Sequence, residues 1–107
     1  VQTCALPISM SAALETLRAA SAANHVAVIG AMAEITEPEA SHRRVWELAC
    51  ELGVDVIALE THLYGPAATS VEDAVARVTG LGPDTVVLVK GSRSSRTERV
   101  VEALLDR

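Results

Sequence analysis

The stretch Lys90-Gly91-Ser92-Arg93 collects the residue types that grip an anion: two cations, a hydroxyl and a glycine, set between an apolar run and the start of a further helix. Helix N-termini present free N–H groups, and ionised hydrogen-bond partners bind about twice as strongly as neutral ones, so a carboxylate or a phosphate would suit such a turn. From Lys90 to Arg99 four bases (Lys90, Arg93, Arg96, Arg99) face one acid, Glu98, a formal +3. The whole chain carries −5, which leaves −8 for everything else. That balance repels nucleic acid and anionic lipid surfaces, and four bases suit one anionic group better than a groove. No nucleic-acid partner is therefore expected. The same residues also read as an ordinary solvated strand exit with serine in a capping role, and the pattern leaves both readings open.

Gly30-Ala31-Met32-Ala33-Glu34 follows the apolar run Val26 to Ile29. Neither G-x-G-x-x-G nor G-x-x-x-x-G-K-[ST] occurs, so a nucleotide phosphate loop is not expected in this chain. Glu34 could orient an amine or a metal-bound water, or be merely solvated. His42, beside Arg43 and Arg44, could donate towards a cleft, although an exposed imidazole is the simpler reading. His25 and His62 have no partners at metal-ligand spacing, and no zinc site is proposed. Cys4 and Cys50 cannot make a disulfide framework, and Cys50 reads as a packed thiol. Trp46 reads as a packing residue. No nucleophile, base and orienting group come together, so no catalytic residue is expected.

These candidates need elements to hold them. The chain has 107 residues, enough for one small domain; 50% are apolar, with no Phe, one Trp and one Tyr. Met10, Leu14 and Leu17 stripe a helix running to about Ala23, followed by a strand at Val26 to Ile29. Thr36 and Glu39 have capping-box spacing ahead of a helix striped by Val45, Leu48, Ala49 and Leu52 and stopped at Gly53. Val54 to Leu59 reads as a strand, and Glu60 to Thr69 as a loop. Ser70 and Asp73 cap a helix whose face is Val71, Ala74, Val75 and Val78. Thr85 to Val89 is the clearest strand, and Ser95 with Glu98 forms a second capping box ahead of a helix striped by Val101, Leu104 and Leu105. Alternating helices and apolar strands predict an α/β fold, a small parallel sheet with helices on both faces. Right-handed crossovers then gather the strand C-termini at one edge, with the loops Gly30 to Glu37, Glu60 to Tyr64 and Lys90 to Ser95. No apolar run approaches the ~20 residues of a membrane span, so no membrane insertion is expected and the cytoplasm is the expected compartment. Residues 1–8 show no periodicity and resemble a translated sequencing adapter. They are expected to be non-native, or else a plain tail or edge strand, with the domain occupying 9–107 and truncated on its N-terminal side.

Ser9-Met10, Val26-Ala27-Val28-Ile29-Gly30-x-Met32-x-Glu34, His42-Arg43-x-Val45-x-Glu47-Leu48-Ala49 and Asp84-x-Val86-Val87-Leu88-Val89-Lys90-Gly91-Ser92-Arg93, with Glu98-Arg99-Val100-Val101-Glu102-Ala103-Leu104, resemble the C-terminal domain of a Mur ligase. The resemblance spans Ser9 to Arg107 and leans towards the branch that adds D-alanyl-D-alanine to a UDP-N-acetylmuramoyl peptide. It implies a Rossmann-like three-layer α/β/α domain of a cytoplasmic ligase of peptidoglycan synthesis. That ligase would use ATP and Mg²⁺, bound mainly by a central domain absent from this chain, to make an acyl phosphate that the amine of D-alanyl-D-alanine attacks. It implies further that Lys90, Gly91, Ser92 and Arg93 line a substrate cleft, that Gly30, Met32 and Glu34 shape the facing loop, and that His42 sits behind it. The N-terminal and central domains of the ligase would be this domain's partners, and the fragment alone would be inactive. Ala31 stands where the family has Asp, Ala33 where it has Leu and Thr36 near its Gly, and the link from Leu59 to Ser70 is short. The alternative is a free-standing α/β module that binds a small anion and catalyses nothing.

Overall fold

The computed structural model describes residues 7–33 and 37–106, with the backbone alone for 7–9. Helix α1 (Pro7–Ala19) leads into strand β1 (Asn24–Ile29), helix α2 (Pro38–Leu52) and strand β2 (Asp55–Ala58). Helix α3 (Val71–Gly80), strand β3 (Thr85–Lys90), a 3₁₀ turn (Arg93–Ser95) and helix α4 (Glu98–Leu105) follow. The sheet is parallel in the order β2-β1-β3, with Ile29 opposite both Ala58 and Lys90, so the three strands end level at one edge.

Alternation of side chains across the pleat builds two cores, one on each face. Ala27, Ile29, Val56 and Ala58, with half-buried Val86 and Leu88, pack beneath Met10, Leu14 and Leu17 of α1 and Val45 and Ala49 of α2. Val26, Val28 and Ile57, with half-buried Val87 and Val89, face Ala74, Val75 and Val78 of α3 and Val100 of α4. The result is the expected α/β layering, with β1 central and wholly buried from Val26 to Ile29, and β3 half-buried along its whole length as an edge strand.

The element ends show where local signals held. Ser70 accepts from the amide of Asp73 at 3.1 Å and starts α3, and Gly53, at φ 72°, takes the left-handed position that closes α2. The capping box expected at Ser95 and Glu98 does not form. Proline at the start of α2 makes Glu37 the N-cap, so Glu39 lies in the first turn, where it complements the helix dipole; Thr36 lies outside the described residues. Ser95 does not cap α4, because Arg96 enters the left-handed region (φ 51°) and delays the helix to Glu98, with Thr97 as N-cap. Helix α1 opens at Pro7, inside the segment set aside as non-native, and ends at Ala19 rather than near Ala23. Cys50 is exposed rather than packed, one position past the buried stripe of α2.

Candidate functional site

The turns leaving β1 and β3 lie against each other at the C-terminal edge of the sheet. The Gly30 amide donates to the Lys90 carbonyl at 2.9 Å and the Ser92 amide to the Ala31 carbonyl at 3.3 Å. Ser95 Oγ donates to the same Ala31 carbonyl at 2.9 Å, and Ser92 Oγ lies 3.0 Å from both Ser94 Oγ and Ser95 Oγ. The glycines make this approach feasible. A Cβ on Gly30 would stand 2.5 Å from Ser95 Cβ, and one on Gly91 would stand 2.9 Å from Thr97 Cγ2 and 3.2 Å from the Gly30 backbone. Gly91 thus serves chain-to-chain packing.

Residues 30–32, just after β1, are held from behind by buried polar side chains. His42 and Tyr64 are fully buried. The Met32 amide donates to His42 Nε2 at 2.8 Å, while Nδ1 lies 2.5 Å from the Pro38 carbonyl. An amide can only donate and a carbonyl only accept, so the imidazole is neutral with its proton on Nδ1. Tyr64 donates to the Gly30 carbonyl at 2.7 Å, and its ring lies 4.7 Å from that of His42, tilted by 59°. Burial pushes the Tyr64 phenol far above its usual range, so it remains a donor at every ordinary pH. His42 is therefore not the exposed donor that its sequence neighbours suggested, and it offers no surface to a ligand; it stands behind the loop. Met32 turns its side chain into the core, so it shapes the loop through its amide. Glu34 lies outside the described residues.

The basic turn is more neutral than its composition implied. Arg99 reaches across to Glu60 on the loop after β2, with contacts of 2.6 and 3.4 Å, and also donates to the Ser95 and Arg96 carbonyls. The Arg99 guanidinium holds the Glu60 carboxyl below its ordinary value, and Glu60 occupies a left-handed conformation at φ 55°. Lys90 is half-buried, while Arg93 and Arg96 are exposed. Ala31, Leu59, Glu60, Ser94 and Ser95 line a shallow cavity of about 180 Å³ between the three exits. Its lining hydroxyls suit a polar ligand, with Arg93 on the neighbouring turn. The cradle of helix N–H groups foreseen at Ser95 is replaced by the 3₁₀ turn, whose Ser95 and Arg96 amides already bond within it. Among the described residues no group of three or more His, Cys, Asp or Glu could hold a metal ion, and no helix is long and apolar enough to cross a membrane.

Sequence reasoning placed Gly30, Met32, His42, Lys90, Gly91, Ser92 and Arg93 around one edge, and the structure brings them there. It missed Tyr64, Glu60 and Ser95 as a buried prop, a charge partner and a cross-link. Tyr64 carried one faint signal, as the only tyrosine in a chain with one other aromatic residue.

No family model and no curated protein matches the chain. A similar solved structure is that of MurF ligase from Thermotoga maritima in complex with ADP, at 27% identity and a TM-score of 0.70 over 94% of this chain. The chain spans 26% of the length of that ligase. In its parallel sheet and flanking helices the chain is similar to a Mur ligase-like α/β domain.

Proposed function

We propose that the chain is the C-terminal, substrate-closing domain of an ATP-dependent ligase that joins D-alanyl-D-alanine to a UDP-N-acetylmuramoyl peptide in cytoplasmic peptidoglycan synthesis. The observation that carries the reading is the match to a MurF ligase over nearly the whole chain at 27% identity. The meeting of the Gly30 and Lys90 exits at one edge supports it, because ligands of parallel α/β sheets bind outside the strand C-termini.

ATP and Mg²⁺ would be held by the rest of the ligase: this chain has no phosphate loop, and its described residues offer no metal cluster. When bound there, they would supply the phosphoryl group that activates a carboxylate. This domain's residues would bind and orient. Arg93 and Lys90 would attract the anionic parts of the substrates, Ser92 and Ser94 would offer hydroxyls, and closure of the edge over the central domain would exclude water from an acyl phosphate. Gly30 and Gly91 would keep the two turns in contact while this happens.

The test is a chimera in which this chain replaces the C-terminal quarter of the Thermotoga maritima MurF ligase. ATP-dependent amide formation from a UDP-muramoyl peptide and D-alanyl-D-alanine is the expected result, with no turnover by the 107-residue chain alone. A chimera that folds and binds ADP but forms no amide overturns the proposal.

A further inference from the structure

The geometry points to His42 and Tyr64 as a positioning pair: a neutral imidazole and a phenol that lock residues 30–32, just after β1, from behind and so set where the Ser92–Ser95 turn stands across the cleft. The inference deepens the reading of this edge as the binding edge, and it concerns residues that touch no substrate.

The chain of contacts is continuous. Pro38 at the start of α2 accepts from His42 Nδ1, His42 Nε2 accepts from the Met32 amide, and Tyr64 fixes the Gly30 carbonyl two residues earlier. Between those two clamps stands Ala31, whose carbonyl accepts from both the Ser92 amide and Ser95 Oγ. The opposite turn is thus tied to a peptide group that is itself clamped on each side. Each bond also has a fixed polarity. Nε2 must accept and Nδ1 must donate, so only one tautomer of one charge state fits. A protonated ring would face the Met32 amide with a second donor, and a leucine or phenylalanine would leave that amide without a partner in a buried site. The polar pair specifies where the turn stands, beyond filling space.

The test uses ¹⁵N-labelled full chain and needs no ligand, so its outcome is independent of whether the ligase reading holds. Long-range ¹H–¹⁵N spectra should show His42 as the Nδ1–H tautomer. Tyr64→Phe, which keeps the ring and removes only the hydroxyl, should speed hydrogen exchange at Ser92 tenfold or more while leaving Val28 in the sheet centre unchanged. His42→Phe should do the same at Met32 and Ser92, and His42→Gln, which can return an acceptor near the Nε2 position, should restore most of the protection at Met32. If His42→Phe fails to fold, Tyr64→Phe and the tautomer still decide. An Nε2–H tautomer, or Ser92 exchange unmoved by Tyr64→Phe, overturns the inference. Equal acceleration at Val28 and Ser92 would also overturn it, since that is the mark of general destabilisation.

Discussion

The turns after β1 and β3 meet at the same edge, but they are held by opposite means. The first is clamped by bonds among fully buried groups, His42 and Tyr64, where competing water is absent. The second is held by exposed and half-exposed ones: a cluster of serine hydroxyls and an Arg99–Glu60 pair whose side chains are 28% and 48% exposed. Buried bonds resist salt and fix geometry; exposed pairs are screened and leave their segment free to adjust.

The largest effect should come from the seam itself. Gly30→Ala forces a Cβ to within 2.5 Å of Ser95 Cβ, so one turn must move; a loss of about 3 kcal/mol, at the upper end for overpacking, is expected in urea unfolding. Stability equal to that of the parent chain would mean that the exits are not in contact.

A middle effect should be functional and not structural. Arg93 is exposed and pairs with no carboxylate among the described residues. In the active chimera, Arg93→Ala should weaken apparent substrate capture by about 1–3 kcal/mol, the scale of a charge-assisted hydrogen bond, with the unfolding midpoint unchanged. Unchanged kcat/KM would remove Arg93 from the site.

The smallest effect should be at Glu60. Its carboxyl is held below the ordinary value of 4.5 by Arg99, so the pair's contribution is complete above pH 4.5 and is lost as the pH falls through the lower folded value. Glu60→Gln should flatten that part of the stability profile, and 1 M salt, where the Debye length is ~3 Å, should reduce the difference between variant and parent. A difference that survives high salt would make this pair a rigid clamp and erase the contrast between the turns.

Much of this architecture was legible in the residues. The period of Met10, Leu14 and Leu17, the β-branched runs at Val26 and Val86, and Ser70 with Asp73 are local signals, and each produced its element. The capping box at Ser95 failed because a stronger local term intervened, the left-handed Arg96 before α4. His42 was misjudged as exposed because its arginine neighbours are exposed, whereas a helix turns by about 100° per residue and points adjacent side chains in different directions.

By itself the sequence determined the alternation of elements, the parallel sheet and the gathering of Gly30 and Lys90 at one edge, because periodicity, crossover handedness and strand length are properties of short segments and their order. Only the tertiary structure decided that Tyr64 would cap the Gly30 carbonyl, that Ser95 would reach Ala31 and that Glu60 would neutralise Arg99. Those partners lie 34 to 64 residues apart, and their pairing depends on distances that appear only once two cores have set the sheet against its helices.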